Sequence, residues 1–441
     1  MKYKNQLKVH FIGVGGAGMS VLAKLLLNKK FNVSGSDITQ NKAIDELIEL
    51  GLSFNLGHNK VVIENKDIII YSSAIGKDNI ELLYATELKK AVCSRAELLS
   101  VVLNSYKKSV GISGSHGKTT ATCMLANVLK NSRIFTTALM GGEDVNLGSY
   151  LYSPKNSVVI SEICEYLKNI KYISTSLAVC LNIDNDHLDC YGDIESLKEE
   201  FFSYLSRAKY RVICIDDKYL KDYKGKNTIT YSIENNADYM AKNLRSNLGK
   251  YSFGLYYKGK FVKEFTLSVY GRCNVYNALA VIAVANGYFK LNFDLIIEGL
   301  SKFKGVKRRF EEIKCNLNKN IIADYAHHPS EIKNTLETAG ELFSDNFLVV
   351  FQPHTYSRTK LLYSNFVEVL SNYKVIIYKE YPAREEFDNL GSAKRLSDGI
   401  KGSLYIEDFD ELIKKIKKTK KKNVLILGAG DLYNKIKNAD I

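Results

Sequence analysis

The chain has 441 residues, and at roughly 150 residues per domain that length implies about three domains and rules out a peptide, a knottin or a single-module adaptor. Hydrophobic residues make up 46% and charged residues 25%, as in ordinary soluble globular proteins, and no run approaches the roughly 18 apolar residues of a membrane span. Lysine and arginine outnumber aspartate and glutamate by 62 to 48, a net charge of +14, which admits nucleic acid, anionic surfaces or phosphorylated small molecules as partners without choosing among them.

Taken in chain order, Leu7 to Val14 reads as a strand, the following glycines as a loop, and Met19 to Leu27 as a helix. A strand at Phe31 to Ser36, a helix at Lys42 to Leu50 and a strand at Asp67 to Ser73 continue an alternation that predicts a parallel sheet. This unit closes near Lys107, short for a full dinucleotide fold. A second strand, Gly-rich loop and helix begin at Ser109 and run through Ala121 to Leu129. Strands follow at Ser157 to Ile163, Leu177 to Ile183 and Arg211 to Asp216, then hairpin-like alternation from Asn227 to Val269, then helices at Asn274 to Phe289 and Phe293 to Phe303. The charged segment Gly305 to Glu312 reads as a junction. From Asn320 the alternation resumes a third time and ends on NVLILGAGD. The expected architecture is α/β in three domains: residues 1–107 Rossmann-like, 108–311 a P-loop domain carrying a small antiparallel sheet, and 312–441 again Rossmann-like. The lysine run from Lys414 to Lys422 reads as the solvated end of a surface helix, where cations suit the helix dipole.

The first loop, Gly13-Val14-Gly15-Gly16-Ala17-Gly18, leaves room for a diphosphate to approach the amides at a helix N-terminus, and Asp37, about 20 residues on, suits a ribose hydroxyl. On its own this pattern favours NAD. The second loop, Gly114-Ser115-His116-Gly117-Lys118-Thr119-Thr120, departs from Walker A spacing but keeps its working parts: amides to cradle phosphates, an ammonium for the β and γ oxygens, and a hydroxyl for Mg²⁺. Two phosphate loops imply two phosphorylated ligands. Glu162 and Glu165 follow one strand, and Asp184, Asp186, His187 and Asp189 follow the next. Strand carboxyl ends line the crevice of an open parallel sheet, so these residues are candidate metal ligands, although any single acid could equally be a helix cap. In the third domain DYAHHP (324–329) and QPHTYSR (352–358) sit past predicted strands, so that His187, His327, His328 and His354, four of the seven histidines, all fall at such ends.

GVGGAGMS, GSHGKTT, NIDNDHLDCYGD, GRCNVYNALA, GVKRRF, DYAHHPSEI, FQPHTYSRT and YPAREE, in this order along nearly the whole chain, resemble the Mur ligases. The nearest likeness is to the branch that adds L-alanine to UDP-N-acetylmuramate with ATP and Mg²⁺, or Mn²⁺ in its place. The resemblance replaces NAD by UDP. It implies that Gly15, Gly16 and Gly18 lie near the diphosphate, Asp37 and His58 near the uridine, and Ser73 nearby. It gives the loop from Gly114 to Thr120 to ATP, Thr119, Glu165 and His187 to the metals, and Asn274 and Asn277 to the adenine. Arg309 and Asp324 would close over phosphates and ribose, while Tyr325, His327, His354 and Arg358 would face the alanine. The catalytic set so implied is Lys118, Glu165, His187, Arg309 and His327. The expectation is a cytoplasmic monomer or homodimer in cell-wall precursor synthesis, with no nucleic acid and no membrane insertion. A sister ligase that adds a peptide to the same sugar is the first alternative, and a basic nucleic-acid-dependent P-loop ATPase the remote one. Three departures stand out: Cys273 where the family usually has His, Thr355 where many members have Arg, and Phe202 where some relatives carry a carbamylated lysine.

Overall fold

The computed structural model of the protein describes residues 7–186, 188–314, 317, 319–344 and 346–439. The first sheet is formed by β1 (Lys8–Ile12), β2 (Asn32–Asp37), β3 (Ser53–Leu56), β4 (Ile68–Tyr71) and β5 (Ala91–Ser94). All five run parallel in the order β3-β2-β1-β4-β5. Helices α1 (Ala17–Asn28), α2 (Lys42–Glu49) and α3 (Ile80–Glu87) follow β1, β2 and β4, and α4 (Arg95–Asn104) follows β5. Strand order reverses between β1 and β4, the point at which an open α/β sheet leaves a crevice for a ligand. The glycine loop after β1 and the Ser72-Ser73 loop after β4 therefore flank one opening. The sequence reading missed β3 and β5, whose side chains are nearly all half-exposed or exposed and show no apolar run.

The central sheet contains β6 (Lys108–Ser113), β7 (Thr136–Asp144), β8 (Gly148–Leu151), β9 (Val158–Glu162), β10 (Leu177–Cys180), β11 (Tyr210–Cys214) and β12 (Thr228–Ser232). Their order is β12-β11-β10-β6-β9-β7-β8, with only β8 antiparallel to its neighbour. Helix α5 (Lys118–Asn131) follows β6, and the short α6 (Leu188–Tyr191) and α7 (Ile194–Arg207) follow β10. The apolar side chains of α5 are buried along its length. β6 lies between β9 and β10, so the ends of those two strands border the second glycine loop.

The chain divides into two compact units, residues 1–240, 257–260 and 276–303 in one, and 241–256, 261–275 and 304–441 in the other. The hairpin region expected within the central domain thus groups largely with the third. Its strands are β13 (Tyr239–Asn247), β14 (Lys250–Tyr257) and β15 (Lys260–Tyr270), followed by α8 (Cys273–Ile282) and α9 (Phe293–Lys302). In the second unit, Tyr251 and Ser246 both donate hydrogen bonds to Glu341. Glu341 lies on α10 (Pro329–Phe343), which follows β16 (Glu311–Ile313) and β17 (Asn320–Asp324). After them come β18 (Phe347–Phe351), α11 (Tyr356–Leu361), α12 (Tyr363–Leu370), β19 (Val375–Tyr378), α13 (Ala393–Gly399), β20 (Leu404–Ile406), α14 (Phe409–Lys418), β21 (Asn423–Leu427) and α15 (Leu432–Asn438). The third sheet has the order β16-β17-β21-β18-β19-β20, parallel except for β16. The lysine run closes α14, which buries Leu412, Ile413 and Ile416 and carries acids in its first turn, as the dipole argument expects. Seven cysteines are free thiols, and Cys315 lies outside the described residues. Among the described residues no helix is long and apolar enough to cross a membrane.

Candidate active site

The loop after β6 turns through two glycines that side chains could not replace. Gly114 has φ +131° and a Cβ there would lie 3.0 Å from the Leu181 amide; Gly117 has φ +84° and its Cβ would lie 2.6 Å from Asn277 Oδ1. Gly117 is the N-cap of α5, so the first amides of that helix face outward into a cradle suited to phosphate. The end of β10 braces the loop from one side. The Ser115 and His116 amides donate to Asn182 O and Oδ1 at 3.1 and 2.8 Å, and His116 Nε2 lies 2.9 Å from Asp184 Oδ2. Thr120 is buried behind the loop.

The end of β9 supplies the charge. Lys118 Nζ donates to Glu165 Oε1 at 2.9 Å and to the Gly114 and Ser115 carbonyls at 2.5 and 3.0 Å. Burial works against the Lys118 charge, but Glu165 more than offsets it and holds the ammonium above the usual lysine value. Thr119 Oγ1 donates to Glu162 Oε2 at 2.6 Å. The carboxylate brought to the Thr119 hydroxyl is therefore Glu162, the last residue of β9, whereas Glu165, 1% exposed, is engaged by Lys118. Glu165, given to the metal by the sequence resemblance, is thus placed against Lys118: the chain leaves the ladder after Ile163, whose amide still bonds to Ile112 O, and Glu165 turns toward the lysine. A hydroxyl beside a carboxylate, both hard oxygen donors, fits a cation such as Mg²⁺. His187 lies outside the described residues.

In the first domain, Gly13 has φ +79°, and a Cβ on Gly15 would lie 3.0 Å or less from Asn41, Ile44 and Asp37 side-chain atoms. Asp37 Oδ2 accepts the Gly15 amide at 2.9 Å, so this acid ties down the loop in addition to any contact with a ribose. A Cβ on Gly18 would lie 3.1 Å from the Arg95 side chain, which brings a cation beside α1 that no motif marks. Gly16 and Ser73 are both exposed. His58 lies after β3, with Nδ1 3.3 Å from Ser36 Oγ.

The second unit gathers the remaining residues around the ends of β17 and β18. Asp324 accepts the Phe310 and Ala326 amides at 2.7 and 2.8 Å; burial raises its carboxyl above the usual range, partly countered by Arg309. Arg309 stacks over Tyr325 at 4.9 Å and lies 3.5 Å from Glu331. Burial disfavours its charge, and Glu331 and Asp324 reverse that. His327 Nδ1 is 3.0 Å from Tyr325 O and 3.2 Å from Glu331 Oε2. The His354 ring stacks on Tyr381 at 5.7 Å and meets His327 edge-on at 5.7 Å, with Arg358 Nη1 3.4 Å from its Nδ1. Burial, then His327, Arg358 and Arg308, lower its pKa to about 3, so His354 is neutral at pH 7. Thr355 has φ +65°, a strained conformation for a β-branched residue, and accepts the Arg358 amide at 3.4 Å as the cap of α11. The two adenine candidates differ: Asn277 lies against Gly117, while Asn274 Nδ2 donates to Tyr270 O at 2.7 Å in the second unit. Phe202 packs edge-on against Tyr223 at 5.1 Å.

Comparison with known proteins gives three family models: "Mur ligase family, catalytic domain" over residues 8–107, "Mur ligase middle domain" over 112–285, and "Mur ligase, glutamate ligase domain" over 308–431. A curated UDP-N-acetylmuramate–L-alanine ligase of Caldanaerobacter subterraneus subsp. tengcongensis is 38% identical over 440 residues, covering 97% of this chain and 95% of its own. The Clostridium tetani protein of the same name is 38% identical over 443 residues, covering 97% and 96%. Among solved structures, a UDP-N-acetylmuramate-alanine ligase from Thermotoga maritima matches with TM-score 0.82 and 29% identity over 97% of both chains. A murein peptide ligase from Psychrobacter arcticus shares the fold with TM-score 0.73 and 21% identity, covering 98% of this chain and 99% of its own.

Proposed function

The chain belongs to the Mur ligase family, and within it we propose that the protein joins L-alanine to the lactyl carboxylate of UDP-N-acetylmuramate, using ATP and a divalent metal, in cytoplasmic peptidoglycan precursor synthesis. The observation that carries this reading is the match at 38% identity across 97% of the chain to relatives named for that reaction. Domains 1–107, 108–311 and 312–441 are assigned to the UDP-sugar, ATP and alanine respectively.

The reaction runs through phosphoryl transfer from ATP to the carboxylate, giving an acyl phosphate, and attack of the alanine amine on that carbonyl with loss of phosphate. Carboxylate and γ-phosphate repel, so catalysis rests on charge already in position. Lys118 supplies a cation that Glu165 keeps protonated, and the amides of α5 hold phosphate oxygens. Thr119 and Glu162 would hold Mg²⁺, with His187 as a further ligand; when bound, the metal neutralises phosphate charge. Arg309 and Asp324 serve the phosphates and ribose. Alanine must lose a proton to react. Both neighbours of His327 Nδ1 are acceptors, Tyr325 O and Glu331, so Nδ1 carries the hydrogen and Nε2 has the lone pair a base needs. His327 is assigned that role, and Arg358, beside neutral His354, the alanine carboxylate.

The test is phosphate release with ATP, Mg²⁺ and UDP-N-acetylmuramate, adding L-alanine, glycine, L-serine or a short peptide separately. Turnover that requires both the sugar and L-alanine is expected. Turnover with the peptide alone would move the protein to the sister class, and turnover indifferent to the sugar would overturn the role given to the first glycine loop.

A further inference from the structure

A buried polar cluster behind His58 is not used by the chemistry above. Glu81, in the first turn of α3, is 0% exposed, and His10 beside it is 1% exposed. Glu81 Oε2 accepts from Ser36 Oγ at 2.6 Å and lies 3.3 Å from His10 Nε2, while Oε1 accepts the Asn59 amide at 2.9 Å. Burial alone would push this carboxyl up, but hydrogen bonds from His10, Ser36 and Asn59 bring it below the usual range. His58 directs Nδ1 at the same cluster, 3.3 Å from Ser36 Oγ and 3.5 Å from Glu81 Oε1.

Hydrogen bookkeeping then fixes the imidazole. An ionised carboxylate only accepts, and a serine hydroxyl has one proton. Ser36 gives that proton to Glu81, so it meets His58 Nδ1 with a lone pair. Both groups facing Nδ1 are acceptors, and the hydrogen of neutral His58 belongs on Nδ1. Among the described residues none hydrogen-bonds Nε2.

We propose that Glu81 is a positioning residue that locks His58 in the Nδ1–H tautomer, so that Nε2 accepts the N3–H of a uracil ring and rejects cytosine, whose N3 is itself an acceptor. This rests on the reading of His58 as a uridine contact. It makes the choice of nucleobase a property of the buried carboxylate behind the contact residue.

The direct test is a long-range ¹H–¹⁵N histidine spectrum of the full-length ligand-free protein near pH 8, with His58 assigned by the signals lost in His58→Gln. An Nδ1–H pattern is expected, and an Nε2–H pattern overturns the proposal without any variant of Glu81 having to fold. The second test compares UDP-N-acetylmuramate with its cytidine diphosphate-linked counterpart in the phosphate-release assay. Glu81→Gln, whose amide can donate where the carboxylate could not, should raise KM for the uridine substrate on the order of tenfold while sparing kcat. It should reduce discrimination against the cytidine compound by a similar factor, and Glu81→Asp should restore part of both. A folded Glu81→Gln enzyme with the wild-type nucleobase preference confines Glu81 to a structural role and overturns the proposal. A wild-type protein with the Nδ1–H pattern but no turnover of UDP-N-acetylmuramate overturns the ligase reading instead.

Discussion

Lowering the pH from 8 to 5 is expected to cost the wild-type fold around His354 about 2 kcal/mol that a His354→Gln variant does not lose. The His354 pKa falls from 6.5 to about 3, because the ring is buried and because His327, Arg358 and Arg308 crowd it with positive or protonatable groups. Its folded value lies below its unfolded value, so between about pH 6.5 and pH 3 the unfolded chain binds a proton that the folded chain refuses. Stability from this group is therefore complete above that window and declines as pH falls through it. At pH 5, about 1.5 units below the unfolded value, about 1.36 kcal/mol per unit gives a loss of about 2 kcal/mol. A chain of several domains does not unfold in one step, so the readout must be local. Hydrogen-exchange protection of β18 and β21 amides, compared between wild type and variant at each pH, cancels intrinsic exchange rates. A ring C–H titration of His354, assigned by its loss in the variant, reports the pKa itself. A titration near 6.5, or protection that falls in parallel in the two proteins, would refute the reasoning.

Lys118→Ala should cost on the order of 10²-fold or more in turnover, as for removal of other preorganised charge stabilisers; phosphate release near the normal rate would remove Lys118 from the mechanism. Gly141→Ala should raise the Mg²⁺ concentration needed for half-maximal activity while leaving the fold intact. Its Cβ would lie 1.6 Å from Glu162 Oε1, and the carboxylate, at the end of a flexible side chain, must swing off Thr119 to make room; an unchanged Mg²⁺ dependence would exclude Glu162 from the site. Thr355→Arg should lower KM for L-alanine on the order of tenfold by adding a charge-assisted hydrogen bond, and an unchanged KM would mean that Arg358 supplies the whole carboxylate anchor.

The two strand, glycine and helix openings were legible because each combines an apolar run with glycines that nothing else could replace, as Gly114 and Gly117 show by their positive φ and close neighbours. The convergence of Thr119, Glu162 and Asp184 on one loop followed from strand ends alone, since β6 lies between β9 and β10. What stayed hidden was set by tertiary contact. β7 carries Gly141 and Gly142 and ends in an acidic pair, which breaks its apolar run, so it does not read as a strand, although its neighbours bury its first five residues. Glu162 and Glu165 differ by three positions in a stretch with no period to choose between them, and only the departure of the chain from the ladder sends one to Thr119 and the other to Lys118. Arg95 reaches Gly18 from a helix that begins two strands away, and no local pattern announces it.

The two histidines assigned above to substrates in different domains, His327 and His58, share one arrangement. Glu331 beside His327 Nδ1 and Glu81 beside His58 Nδ1 each present an acceptor, and each is backed by a second acceptor, Tyr325 O in one case and Ser36 Oγ in the other. In the neutral ring this places the hydrogen on Nδ1 and leaves the Nε2 lone pair facing away from both acceptors. His354 follows the opposite logic: its Nδ1 faces the Arg358 guanidinium, a group that can only donate, so the ring must stay unprotonated there to make that contact. A carboxylate behind one ring and a guanidinium beside the other would divide two adjacent imidazoles between the proposed proton acceptance at His327 and the orientation of Arg358 by His354. Swapping either charge, by Glu331→Gln or by Arg358→Gln, should disturb one of these roles and leave the other in place.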